Sequence, residues 1–232
     1  MKTALPLLGV ALLAGWLGTS RPSGTVPVGG LTLSKGGVEF IVQEETGGRS
    51  YYDSRLHRPM WPGGASGVTW GVGYDGGYNS VPGIERDWQP VTDRGELVLL
   101  KSVAGVKGDR AKYEASRIRN AVSVNWGEAS DTFTRSTLPR FAEMTRQAFP
   151  GCEKLPPDAQ AVLVSLIFNR GSSMSGAGRR EMRAIRDAIA SGHPELVPGQ
   201  ILAMKRLWVG KGLDGLLRRR EREAARFKAA IQ

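Results

Sequence analysis

The run Ser66–Tyr78, SGVTWGVGYDGGY, constrains this chain more than any other stretch. Val68, Trp70, Val72 and Tyr74 alternate with Thr69, Gly71, Gly73 and Asp75. That period of two specifies a β segment with one bulky face and one sparse face. A fully extended strand would hold Thr69 and Asp75 roughly 20 Å apart. The two polar groups can act together only if the chain turns near Gly71–Gly73, a turn that glycine permits. Glycines on the sparse face also leave room for a ligand to approach the backbone. The plainer reading of the same letters is a hairpin with two spacer glycines.

A helix precedes this segment. Val38, Ile41, Val42 and Glu45 follow i, i+3, i+4, i+7 spacing, so Glu45 continues an apolar stripe, and Gly47-Gly48 ends the helix. A carboxylate in the last turn meets the negative end of the helix dipole. Partial burial acts in the same direction, and both favour the protonated form. Such a group can serve as a general acid. The plainer alternative is a solvated helix end with Glu44 and Glu45 both charged. A helix-borne acid, a hydroxyl and a second acid around a glycine-rich hairpin form the residue set used to hydrolyse glycosidic bonds.

EETGGRSYYD followed by WPGGASGVTWGVGYDGGY resembles the active-site region of phage-type lysozymes, and is most similar to the pesticin-like branch of endolysins and bacteriocins. The resemblance places Glu45, Tyr52, Thr69, Gly71, Gly73 and Asp75 on that branch's motif, with Trp70 where relatives have Ile. Glu44 is one residue out of register and is the second choice for the acid. The other large branch sets its Asp soon after the Glu, which makes Asp53 the competitor of Asp75. LPPDAQAVLVSLIFNRGSS resembles the long core helix of these enzymes, and RREMRAIRDAI, MKRLW and GLLRRREREAARF resemble their C-terminal helices. The similarity runs in separated blocks over residues 35–227; residues 106–150 carry the least of it.

What the resemblance implies is an α+β, mostly α, lysozyme-like fold, with a small β-hairpin lobe near Trp61–Asp75 and a larger helical lobe. The implied reaction is muramidase hydrolysis of the β-1,4 bond between N-acetylmuramic acid and N-acetylglucosamine in peptidoglycan, with bacterial cell-wall lysis as its result. Glu45 would be the general acid, and Asp75 and Thr69 would position water. Tyr52, Trp61, Gly71, Gly73, Asn169 and Arg170 would contact substrate; Trp61 sits at the rim, and the Phe168–Gly171 turn faces the site in relatives. The best-known members invert, which needs carboxyl groups about 6.5–9.5 Å apart, whereas about 5–5.5 Å indicates retention. Two other readings stay open. A lytic transglycosylase would cut the same bond with one Glu and no water-directing Asp. A non-catalytic cationic protein would bind cell wall or nucleic acid.

Lys2 followed by the apolar run Ala4–Gly18 has the shape of an export signal and is short for a span of about 20 residues. Residues 1–22 are read as a signal peptide or signal-anchor that can meet an anionic membrane. Residues 23–35, in a Ser-, Pro- and Gly-rich stretch, are read as a linker, and 36–232 as the catalytic domain. The expected location is outside the cytoplasm: periplasmic, anchored at the inner membrane before release, or secreted. Cys152 stands alone, so no internal disulfide forms, and His57 and His193 have no ligand spacing; no metal or other cofactor is expected. A net charge of +10 favours polyanions such as cell wall. The Arg218–Phe227 stretch reads as a solvated helix with Glu–Arg pairs rather than a nucleic-acid patch, so the expected partner is peptidoglycan and the expected state a monomer.

Overall fold

The computed structural model describes residues 24–232, so the export segment 1–22 lies outside the described residues. The order is β1 (Thr25–Val28), β2 (Leu31–Ser34), α1 (Lys35–Thr46), β3 (Thr69–Trp70), β4 (Tyr74–Asp75), α2 (Val81–Trp88), α3 (Arg94–Ser102), α4 (Gly108–Ile118), α5 (Trp126–Thr132), α6 (Leu138–Ala148), α7 (Pro157–Arg170), α8 (Arg180–Ala190), α9 (Val197–Ala203) and α10 (Asp214–Ile231). The chain is thus α+β and mostly α, with two antiparallel strand pairs, β1–β2 and β3–β4. The segment 36–232, expected as one domain, divides into two compact units. One comprises Glu45–Leu138; the described part of the other comprises residues 24–44 with Pro139–Gln232.

In the first unit, the bulky face of the β3–β4 hairpin is a core face. Val68, Trp70, Val72 and Tyr74 are all buried, as the alternation requires. Trp70, Tyr74 and Trp88 from α2 form a three-ring cluster with centroids 5.1–5.9 Å apart, tilted or edge to face. The Tyr74 hydroxyl donates to the buried Asp87 carboxylate at 2.9 Å. Helix starts follow their sequence signals: Ser80, Asp93 and Asn125 each accept an amide hydrogen bond from the first turn, and Asn125 forms a reciprocal capping box with Glu128.

In the second unit, the described part of the expected linker 23–35 is not a linker. From Thr25 to Ser34 it forms a four-pair hairpin, Thr25↔Ser34 through Val28↔Leu31, that buries Val28, Leu31 and Leu33. Its alternating apolar residues pack against α7, and the Gln160 side chain accepts from Thr32 N at 2.8 Å. The glycines that suggest a linker make the turn instead: Gly29 and Gly30 both have positive φ. Gly37 on α1 is required for a different reason, because a Cβ there would lie 2.5 Å from that of Ala161. Helix α7 is buried on all sides from Ala159 to Ile167, the pattern of a central core helix. Pro157 at its start and Gly171 just beyond its end, at φ 70°, set its bounds as the sequence indicates.

Helix α10 departs from expectation. Ala224 and Phe227 face inward, and Arg219, Arg220 and Glu223 are buried beside them rather than solvated. Glu223 pairs with Arg219 at 3.1 Å and Arg220 at 2.8 Å, and Ser165 of α7 donates to it at 2.7 Å. Arg219 returns a bond to the Ser165 hydroxyl, and Arg220 donates to Asn169. Burial pushes the Arg220 guanidinium down to about 10, so it is still charged at neutral pH. Removing one member of such a network strands the others. Glu223→Ala should therefore cost about 3–5 kcal/mol in urea unfolding, whereas replacing Arg219, Arg220 and Glu223 together by apolar residues of similar volume should cost less.

Candidate functional site

The hairpin turn brings Thr69 and Asp75 together. Gly71 and Gly73 take φ of 58° and 64°, and the strands pair Thr69↔Asp75 and Trp70↔Tyr74. Residues directly opposite on an antiparallel pair share a face, with Cβ atoms about 4.5–5.5 Å apart. The hydroxyl and the carboxyl group therefore stand side by side on the half-buried face, opposite the aromatic cluster. Thr69 is also paired on its other edge, where its N–H and C=O exchange bonds with Met60 at 2.8 and 2.9 Å. Its side-chain hydroxyl has only a long bond, 3.4 Å, to Gly67 O.

Asp75 is held by amides. Gly77 N donates to Oδ1 at 2.8 Å, and Gly67 N is shared between Oδ1 at 3.0 Å and Oδ2 at 3.1 Å. The Asp75 carbonyl accepts from the Asn79 side chain at 2.7 Å. Oδ2, with one shared bond, keeps capacity to accept from a water or a hydroxyl. Burial pushes the Asp75 carboxyl above the ordinary aspartate range, while the Gly67 and Gly77 amides and the Lys107 ammonium pull it back. These amides were not singled out in the sequence. The signal was present: Asp-Gly-Gly is a side-chain-capped turn, in which the aspartate accepts from the residue two further on.

The glycines of this motif are mostly packing elements. A Cβ on Gly67 would sit 2.3 Å from both Asp75 Oδ1 and Gly77 N, and one on Gly77 would meet Gly67 Cα at 2.7 Å. The space at Gly71, expected to admit a ligand, is filled by Trp88, whose ring would be 2.8 Å from a Cβ there. Gly73 is half-buried and serves the turn.

Glu45 lies in the last turn of α1, is partly exposed, and belongs to the same unit as the hairpin. Gly47 and Gly48 follow with positive φ, which ends the helix where the sequence places it. Tyr52 is fully buried, packs edge-on against Trp126 at 5.2 Å, and donates its hydroxyl to Val124 O at 2.9 Å. It is a core post with no face open to a substrate, which corrects its assignment as a contact residue. Asp53 is 50% exposed and paired to Arg49 at 3.4 Å, with none of the amide contacts that orient Asp75. Trp61 is partly exposed and donates Nε1 to Ser66 O at 3.1 Å, which ties it to the start of the hairpin.

Glu44, Asn169 and Arg170 belong to the other unit and have partners there. The Glu44 side chain is largely covered and forms a two-bond pair with Arg222, itself half exposed, at 2.6 and 2.8 Å. Asn169 accepts from Arg220. Arg170 donates to Gly178 O at 2.6 Å and lies over the Trp208 ring; Arg183 and Arg206 bond the carbonyls of Met174, Gly176 and Ala177 beside it. Among the described residues no three His, Cys, Asp or Glu side chains stand close enough to hold a metal ion. Nor is any described helix long and apolar enough to cross a membrane.

No protein-family model matches the chain, and no curated protein matches it. The hairpin's geometry makes a stability prediction. Gly67→Ala must displace either the Asp75 carboxylate or the Gly77 backbone, so it should cost about 1–3 kcal/mol of unfolding free energy. Near-ultraviolet circular dichroism of the Trp70–Trp88 cluster should shift with it, and an unchanged melting temperature would sink this account of the contact.

Proposed function

We propose that this chain is a peptidoglycan muramidase with a lysozyme-like fold, similar to the pesticin-like branch of the phage-type lysozymes. The observation that carries the reading is the Thr69↔Asp75 pairing, which sets a hydroxyl beside an amide-oriented carboxyl group on the half-buried face of the hairpin. Glu45, in the last turn of α1 and the first residue of the stretch that shares the hairpin's unit, would supply the second acid. Asp75 is favoured over Asp53 because a carboxylate that must direct one water needs a fixed orientation, which solvent exposure does not provide. Glu45 is favoured over Glu44 because both Glu44 carboxylate oxygens are engaged by Arg222 within the other unit.

In the proposed reaction, Glu45 gives its proton to the glycosidic oxygen as the C1–O bond breaks. Asp75 takes a proton from a water that Thr69 helps to hold, and the water oxygen bonds to C1. The products are a reducing muramic end and a free hydroxyl on the next sugar. Digestion of purified peptidoglycan, with mass spectrometry of the soluble fragments, tests this. Reducing muramic ends from the wild type, reduced at least about 100-fold by Glu45→Gln, are the expected outcome. Anhydro ends, lighter by one water, would replace the reading with a transglycosylase; absence of products would withdraw the enzyme.

The pH profile offers a separate check. Asp75 must be ionised to accept the proton, and burial holds its value above the usual range. The acid limb of kcat/KM should therefore lie above the ordinary aspartate range. Lys107 acts to lower that value, so Lys107→Gln should move the limb further up in pH. Stability has the opposite sense. A raised folded-state value means the folded protein keeps this proton longer than the unfolded chain, so the group's share of stability is greatest at low pH and falls as pH rises to the raised value.

A further inference from the structure

The hairpin carries a second surface that the proposed chemistry does not use. Tyr78 follows Asp75 by one short turn, is 66% exposed, and reaches toward Ala65 O. Trp61 is bonded to the adjacent carbonyl, Ser66 O. Two aromatic rings thus anchor on consecutive peptide units just before Gly67, whose amide holds Asp75. A lysine accompanies each ring. Lys107 Nζ stands 3.6 Å from the Tyr78 centroid, and Lys112 Nζ stands 5.8 Å from the Trp61 centroid.

The placement of the lysines follows from the backbone. Gly67 bridges to Lys107, Gly108 N bonds to Ser66 O, and α4 starts at Gly108, so Lys112 stands in the second turn of the same helix. Both lysines are exposed, and among the described residues neither forms an ion pair with a carboxylate. Exposed ring faces favour the apolar faces of sugars, and ammonium groups beside them favour carboxylates. A neutral sugar chain would use only the rings. A strand carrying lactyl and peptide carboxylates would use both.

We propose that Trp61, Tyr78, Lys107 and Lys112 form a subsite for a carboxylate-bearing glycan strand beside Asp75, which selects acidic over neutral amino-sugar polymers. The proposal rests on the glycan-cleaving reading above for its ligand class. Binding, not turnover, tests it. The full chain carrying Glu45→Gln is titrated with a peptide-bearing muramic-acid tetrasaccharide and with the neutral N-acetylglucosamine tetramer.

Tyr78→Ala in that background should weaken both ligands about tenfold, and Tyr78→Phe, which keeps the ring, should weaken neither. Lys107→Gln with Lys112→Gln should weaken only the acidic ligand, about three- to tenfold, with the difference shrinking as salt rises. Unchanged affinity in Tyr78→Ala overturns the subsite, as does a lysine effect that is equal for both ligands, or failure of the parent to bind either. If the parent binds with these preferences while the wild type cuts neither ligand, the subsite stands and the muramidase reading falls.

Discussion

The first unit is organised around one carboxyl group that accepts two glycine amides. Asp75 joins the segment entering the hairpin, at Gly67, to the turn leaving it, at Gly77. The bond is possible only because the two glycine backbones meet without side chains. From that contact the rest follows. It fixes the register that sets Thr69 across from Asp75 and turns Trp70 and Tyr74 onto Trp88. It also brings residues 65–67 against the start of α4, where Lys107 and Gly108 bond back. A group so placed has both a structural and a proposed chemical role, and the two agree, since a carboxylate that directs a water must itself be immobile.

The second unit solves a different problem. The buried stretch of helix α7, Ala159 to Ile167, is apolar except for Gln160 and Ser165, and each of those is answered. Gln160 serves the carbonyls of Glu153 and Leu155 and the amide of Thr32. Ser165 meets Glu223, which offsets two buried guanidinium groups. Fixed polar pairs in an apolar interior favour one packing arrangement over its neighbours, at some cost in net stability. Arginine richness in the C-terminal quarter is therefore partly internal, and the net charge of +10 overstates the basic surface that this region presents.

Local order was the legible part of the sequence. The period of two around Trp70, the helix ending at Gly47 and the bounds of α7 depend on neighbours within a few residues, and each is read from spacing or from a glycine or proline at the boundary. The turn at Gly71–Gly73 followed from a distance argument, because Thr69 and Asp75 cannot cooperate along an extended strand. Contacts between residues far apart in the chain left no such trace. Nothing near Gly67 announces Lys107, and nothing near Arg219 announces Ser165. Tyr52 was misplaced because its position on the branch's motif looks the same whether its hydroxyl meets a sugar or Val124 O. The strands at Thr25–Ser34 were missed because glycine and proline in a tight hairpin have the composition of a tether.

The loop before the hairpin has the opposite character to the hairpin. Gly63 and Gly64 have no atom within 4 Å of where a side chain would start, whereas Gly67, three residues on, has no space at all. Insertions can accumulate in residues 62–65, and exchanges at Pro62 and Ala65, while Gly63 and Gly64 keep positive φ that disfavours a side chain and the motif behind them stays unchanged. If descendants of this chain diversify in what they hold at the rim, the record of that divergence should be written in the length and chemistry of this loop. The hairpin should be inherited almost letter for letter.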